Sequence, residues 1–337
     1  MFLCNGVFSL ARYREVTKET IPHRMHEGPS LDSPLYSICM CNFNMAETLE
    51  ASLTSLLAQL DQRFEVVIVD DGSSDRSVEV VKSMSQSDPK LRLVELSRDP
   101  KRKLGMTRNI SIQEARGSFV LLHLDCDDVF GPFIGDFVEV FHRLESCIGQ
   151  DILLSGQHIN MARRDFLLRH GPYINIYRGE DRNLWSRMAA IGAYVPFDHV
   201  DFITRLPKRT KARFFKIVCD TIDHMRNDFR SGVTLSKYVS YEWKKTTERT
   251  FKYQLFRYCM LLPSWILSCF DQPLSQEGTI GSPEAFGVYR EQTRGTYKIL
   301  MKRWGGDPNL DFLRPEARRI FEQNGSVQNG QSHVKHD

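Results

Sequence analysis

What this sequence lacks narrows its reading first. No stretch holds about 18 uninterrupted apolar residues, so no membrane-spanning helix is required. The formal net charge is only +3 over 337 residues, so the total implies no pull toward nucleic acid. Eight cysteines are present, at Cys4, Cys39, Cys41, Cys126, Cys147, Cys219, Cys259 and Cys269. None is in a C-x-x-C pair, which argues against a zinc site. Buried free thiols in a reducing compartment are expected instead. Met1–Leu10 is mildly apolar but lacks a basic leader before a long apolar run, so no signal peptide is expected.

What is present centres on Phe119–Phe130, Phe-Val-Leu-Leu-His-Leu-Asp-Cys-Asp-Asp-Val-Phe. Its apolar start reads as a strand buried on both faces. It ends in Asp125, Asp127 and Asp128. Side chains of an extended chain alternate faces, so Asp125 and Asp127 are expected to project together, with Cys126 turned away. Two like charges on one face need a cation between them. Hard oxygen ligands suit Mg²⁺ or Mn²⁺. An exposed acidic turn after a core strand would read the same way.

The chain alternates strands and helices up to this point. Leu35–Asn44 is strand-like, and Asn44 with Glu47 offers a capping box for the next helix. Leu49, Leu53, Leu56, Leu57 and Leu60 follow at helical spacing. Phe64–Asp70 is a second buried strand ending in Asp70-Asp71-Gly72-Ser73-Ser74, where Ser74 or Asp75 could cap a helix. Leu91–Leu96 is a third strand. The basic run Arg98–Arg108 reads as a solvated loop or as a clamp for phosphate oxygens. A helix from Met106 to Arg116, with Gly117 as its C-cap, leads back to the acidic strand. Such a β-α-β-α-β-α-β order argues for a parallel sheet covered on both faces, with all strand carboxyl ends on one edge.

Beyond it, Gly179-Glu180-Asp181 places two carboxylates at a helix N-terminus, which the macrodipole alone would favour. Asp198-His199 follows a short strand. Arg205, Lys208, Arg209, Lys211, Arg213 and Lys216 meet no acid before Asp220. Tyr258–Phe270 is apolar, too short to span and interrupted by Pro263, with Lys244, Lys245, Arg249, Lys252 and Arg257 ahead of it. It reads as a helix packed on the α/β domain or as one lying in a membrane interface.

Taken in order, these pieces resemble family 2 glycosyltransferases of the GT-A fold. Cys41-Asn42-Phe43-Asn44 stands where the family usually has Pro-Thr-Tyr-Asn. Val69-Asp70-Asp71-Gly72-Ser73-Ser74-Asp75 is similar to its Val-Asp-Asp-Gly-Ser-x-Asp. Gly105-Met106-Thr107-Arg108-Asn109 is similar to its Gly-x-x-Arg-Asn, Leu124-Asp125-Cys126-Asp127-Asp128 to its Asp-x-Asp metal motif, and Gly179-Glu180-Asp181 to its acidic pair. Phe43 for Tyr and Asn42 for Thr are departures that bear on the nucleobase.

The resemblance implies a GT-A nucleotide-sugar-binding fold, with a mostly parallel sheet flanked by helices and a C-terminal helical appendage. It implies an inverting, metal-dependent transfer from a nucleotide-diphosphate sugar to an acceptor hydroxyl. Asn42, Phe43, Asn44, Asp70, Asp71, Arg108 and Asp125 would bind a UDP- or GDP-sugar. Asp127, with Asp125, would hold Mn²⁺ or Mg²⁺. Asp181, or Glu180, would be the catalytic base, and His199 a further metal or acceptor contact or a structural residue. The acceptor would be a glycan, a polyol or a lipid-linked molecule, and nucleic acid is not an expected partner.

Expected boundaries are 1–34 as an extension, 35–205 as the transferase domain, 206–275 as a basic amphipathic helical region and 276–337 as a tail. A cytoplasmic location with peripheral contact to the cytoplasmic membrane face is the matching expectation. Two rivals are a nucleotide-sugar-binding protein without turnover and a phospho-acceptor receiver domain, for which Asp70-Asp71 and Asp125 would serve. Asn109 and Asn324 open Asn-x-Ser sequons; the first, inside the donor motif, is taken as chance.

Overall fold

A computed structural model describes residues 34–171, 173–207, 213–244 and 250–323. All of the expected extension 1–34 but its last residue, and the polar end 325–337, lie outside the described residues. Four strands open the fold: β1 (Tyr36–Asn42), β2 (Phe64–Asp70), β3 (Leu91–Glu95) and β4 (Phe119–Leu122). All are parallel, as the β-α alternation predicts. The helices between them are α1 (Ala46–Leu57), α2 (Ser77–Ser87) and α3 (Leu104–Glu114).

After β5 (Asp128–Phe130) and α4 (Ile134–Ile148), the sheet resumes with β6 (Leu153–Ser155), β7 (Asn160–Arg163) and β8 (Tyr194–Pro196). Strand order is β3-β2-β1-β4-β7-β6-β8. Only β7 runs against the rest, because it turns back tightly on β6 and pairs antiparallel with both β6 and β4. The sheet is mostly parallel with helices on both faces, the mixed α/β layout the sequence led us to expect.

Alternation along the strands sends side chains to two cores. Ile38, Met40, Val66 and Ile68 face α1, α2 and α4. Cys39, Val120 and Leu122 face α3, α5 (Arg164–Arg169) and α6 (Glu180–Ala190). Strand order reverses between β1 and β4, and such a switch point at the carboxyl edge is where open α/β sheets bind ligands.

A small sheet of β5 and β9 (Ile203–Arg205) lies beside this edge. The appendage follows as α7 (Arg213–Arg230), α8 (Leu235–Lys244) and α9 (Phe251–Ser268), with a small core of Met225, Phe229, Tyr238 and Leu261. Helix α9 runs through Pro263 rather than breaking there. Much of the stretch expected as a tail is folded: α10 (Pro283–Thr293), α11 (Tyr297–Trp304) and α12 (Pro315–Glu322) return to the sheet. Phe286 enters one core, and Leu300, Leu313 and Phe321 enter the other.

Two local expectations differ from the structure. Helix α3 ends at Glu114 with Ala115 as its C-cap. Gly117 serves space instead, since a Cβ there would lie 2.8 Å from the Ser37 amide nitrogen. Among the described cysteines all are free, but only Cys39 and Cys126 are buried while Cys259 and Cys269 are exposed.

Candidate active site at the carboxyl edge of the sheet

The loops after β1 and β2 interlock. Asn42 and Asp70 are register partners at the strand ends. The Asn42 amide donates to Asp70 Oδ2 at 2.6 Å, and the Ser73 amide donates to Asp70 Oδ1 at 2.9 Å. Asp70 is thus buried and held between the end of β1 and its own loop. Asn44 is left-handed, with φ of 54°. That turn carries its Oδ1 to the Ser74 amide at 2.8 Å, so the expected capping box with Glu47 does not form and Met45 is the N-cap. In exchange, Asp75 Oδ2 accepts from the Ala46 amide at 3.0 Å, and Asp75 Oδ1 accepts from the Ser77 amide. Asp75 of the β2 loop thus caps both α1 and α2. Gly72 has φ of 74° and a Cβ there would sit 2.6 Å from the Arg98 amide nitrogen, so both conformation and space require glycine.

That close approach brings the basic run onto the β2 loop. Arg98 donates to Asp71 at 2.7 Å while its guanidinium stacks 4.4 Å from the exposed Phe43 ring. Arg102 also pairs with Asp71. The run is therefore an organised surface that joins Asp71 to Phe43.

The Gly105-x-x-Arg108-Asn109 element has a different task. A Cβ at Gly105 would lie 1.9 Å from the Ile174 carbonyl oxygen, and the Gly105 amide donates to the Ile176 carbonyl at 3.2 Å. Asn109 grips the Tyr173 backbone at both ends, accepting at 2.8 Å and donating at 2.9 Å. Arg108 reaches Glu180 at 3.2 Å. All three residues dock the segment that delivers the acidic pair to α6. Asn109 is buried, with its side-chain oxygen and nitrogen both bonded to the Tyr173 backbone. Gly105→Ala is expected to cost about 3 kcal/mol or more, since a methyl cannot enter without displacing this segment. Urea unfolding checks this; a loss well below 1 kcal/mol would mean the segment yields freely.

Glu180 is buried, and Gly179 precedes it with φ of 89° as the N-cap of α6. Burial, reinforced by the Asp181 charge, raises the Glu180 carboxyl above its ordinary value despite Arg108. Tyr173, Glu180, Cys41 and Asp125 all act electrostatically on Arg108, so residues far apart in sequence share one neighbourhood. Asp181 is half-buried, and its Oδ1 accepts from the Arg182 amide at 2.6 Å.

The acidic strand is shorter than expected. Strand β4 stops at Leu122, and His123 takes φ of 68°. Simple alternation therefore does not set the directions of Asp125 and Asp127. Cys126 turns into the core, Asp127 and Asp128 are buried, and Asp125 is partly open. Their shared cation is Arg205 on β9: it donates to Asp125 Oδ2 at 2.7 Å and Asp128 Oδ1 at 3.1 Å, and lies 3.9 Å from Asp127. The donor set is hard oxygen, which suits Mg²⁺ or Mn²⁺. Yet among the described residues no three His, Cys, Asp or Glu side chains are grouped to hold a metal ion. The guanidinium stands where positive charge is needed.

His123 contacts the Tyr173 hydroxyl at 3.1 Å and packs near Trp185. Burial and the Arg108 charge push it well below the ordinary histidine value, so it is neutral.

His199 is structural. It is fully buried among Phe137, Phe197, Phe202 and Phe321. Nδ1 donates to the Val200 carbonyl at 2.7 Å and Nε2 accepts from the Gln157 amide at 2.9 Å. Burial pushes it down to about 4 from 6.5. Its contribution is complete above pH 6.5 and is lost as pH falls toward 4, because the unfolded chain takes up a proton that the folded one refuses. We expect wild type to lose about 3 kcal/mol more than His199→Gln between pH 7.5 and 4 in urea titrations. Equal losses would contradict this.

The structure thus gathers Asn42, Phe43, Asn44, Asp70 and Asp71 at one side of the switch point, and Asp125, Arg108, Glu180 and Asp181 at the other. Sequence reasoning missed Tyr173 and the pairing of Arg205, and no local pattern marks either.

An acidic site at the switch point of a mostly parallel, doubly covered sheet defines an α/β ligand-binding domain. Residues 37–196, just under half of the chain, match the family model described as Glycosyl transferase family 2. The chain is 36% identical over 105 residues to the succinoglycan biosynthesis protein ExoO of Rhizobium meliloti, covering 31% of this chain and 29% of that protein. It is 27% identical over 136 residues to a cholesterol galactosyltransferase of Borreliella burgdorferi, covering 39% and 36%. It spans about a third of the length of the curated relatives it matches. A solved mannosyltransferase, PcManGT from Pyrobaculum calidifontis with GDP-Man and Mn²⁺, is similar at 14% identity and a TM-score of 0.44, over 77% of this chain and 87% of that one.

Proposed function

We propose that this protein transfers a sugar, with inversion, from a nucleotide-diphosphate sugar to an acceptor hydroxyl. The observation that carries the reading is the docking of the Glu180-Asp181 segment by Gly105, Arg108 and Asn109. It sets a carboxylate pair beside the acidic loop after β4, within the stretch that matches the family 2 model.

In this reading the nucleobase of a UDP- or GDP-sugar lies against Phe43 and Arg98, near Asp70 and Asp71. Arg108 supplies positive charge toward the diphosphate. Asp181 takes the proton from the acceptor oxygen as that oxygen bonds to the anomeric carbon and the carbon–phosphate-oxygen bond breaks from the opposite side. Glu180, held by Arg108, positions the pair. Asp127 and Asp125 would hold Mn²⁺ or Mg²⁺ once Arg205 releases them. When bound, the ion supplies charge against the leaving diphosphate. The acceptor is a glycan, polyol or lipid-linked hydroxyl.

A thermal-shift panel of UDP-, GDP- and dTDP-sugars with and without Mn²⁺ tests the donor. We expect one nucleotide series to stabilise the protein, more so with Mn²⁺, and Asp127→Ala to remove the Mn²⁺-dependent part. Stabilisation without hydrolysis or transfer of any donor would favour the binding-only alternative.

A further inference from the structure

Helix α9 buries mostly polar side chains. Gln254, Arg257 and Ser264 turn toward α7 and α8, and Leu261 beside them joins the small core. Arg257 makes a bidentate pair with the fully buried Glu242 at 2.6 and 3.0 Å, and Gln254 donates to the Glu242 carbonyl at 2.8 Å. The outward face is apolar. Phe251, Leu255, Leu262 and Ile266 recur at steps that keep them on one side of the helix, and Phe270 continues the line. Phe251 and Phe270 are 80% and 85% exposed, and Trp243 on α8 is 73% exposed. A contiguous apolar stripe of this length in water marks an interaction surface.

Charge favours one occupant. Within α8 and α9 the only acid is Glu242, which Arg257 neutralises in the interior. Lys237 and Lys252 are exposed. The sequence adds Lys244, Lys245 and Arg249 against Glu248 alone. No helix of the described residues is long and apolar enough to cross a membrane. Exposed Phe, Leu, Ile and Trp rimmed by lysine is the composition of a helix lying in a lipid interface.

We propose that α9, with Trp243 of α8, docks this protein on an anionic membrane surface, the stripe entering the acyl boundary and the lysines facing the headgroups. The buried Glu242–Arg257 pair holds α9 in this orientation. Helix α7, on which α9 packs, is tied to the acid-pair segment: Asn227 donates to the Tyr177 and Arg178 carbonyls at 3.0 Å, and Arg182 pairs with Asp228 at 2.7 Å. Docking therefore holds Glu180 and Asp181 near the lipid surface.

The test is flotation of the full chain with phosphatidylcholine vesicles, with and without about 30% phosphatidylglycerol, alongside analytical ultracentrifugation. Wild type should float with the anionic vesicles, less so at high salt, and Trp fluorescence should shift to the blue. The variant Leu255→Glu/Leu262→Glu/Ile266→Glu, altered only at exposed positions, should keep its thermal stability and lose at least about tenfold in partitioning. Wild type that stays off anionic vesicles overturns the proposal, as does a stripe variant that binds as well as wild type. So does a wild-type dimer that the stripe variant turns into monomer without any vesicle binding, since the occupant is then a second copy of the chain. None of these readouts depends on sugar transfer.

Discussion

Asp181→Ala is expected to reduce sugar transfer about 10²–10⁴-fold, the range for loss of a general base. Donor affinity should stay within about twofold, because the aspartate acts on the acceptor oxygen. Two features favour Asp181 over its neighbour. Glu180 is buried and paired with Arg108, whereas Asp181 is only half-buried at the first turn of α6. Glu180→Gln should therefore disturb the position of the pair more than its basicity. Initial rates at saturating donor, with donor affinity measured separately, give the answer. A variant that keeps its rate and loses donor binding would move Asp181 from the reaction to the donor site.

Arg108→Ala should have the largest effect on stability. The Arg108 and Glu180 side chains are 12% and 4% exposed. Removing one partner of such a pair leaves an uncompensated buried charge, at a cost of about 3–5 kcal/mol. The pH dependence follows from the direction of the Glu180 shift. Its carboxyl lies above the ordinary value already, through burial and the Asp181 charge, and loses its compensating cation in the variant. At neutral pH the variant must hold that carboxylate charged or protonate it at a cost. As pH falls through the raised value, Glu180 becomes neutral and the difference from wild type shrinks. Urea unfolding at pH 7.5 and pH 5 should show a smaller gap at the lower pH. A gap that widens on acidification would mean the pair is not what Arg108 stabilises.

Much of the fold was legible because its first half is made of strongly patterned pieces. Phe64–Asp70 has the Val and Ile content of a strand covered on both faces, and it is buried along its whole length. Strand β7 was hidden because Asn160–Arg163 is four residues long and mixed in character. Its place comes from the tight turn after β6. The acidic loop was legible as composition but not as geometry, since a left-handed residue at position 123 cannot be inferred from histidine. Arg205 shows the same limit at longer range. As a sequence feature it began a basic run, yet β9 pairs with β5 and sets it against Asp125 and Asp128, about 80 residues earlier. Helix α9 inverts the usual inference from periodicity. The apolar stripe was visible, but its direction is decided by Glu242, which draws Arg257 inward.

The central claim is that Asp127 and its neighbours gather positive charge where a sugar diphosphate departs. Diffraction from crystals soaked with Mn²⁺ and the nucleotide chosen by the thermal-shift panel tests it most directly, through anomalous scattering at the manganese edge. We expect a peak about 2.2 Å from an Asp127 carboxylate oxygen, with Arg205 withdrawn from Asp125. A manganese peak elsewhere in the domain, with Arg205 still bridging Asp125 and Asp128, would contradict the account.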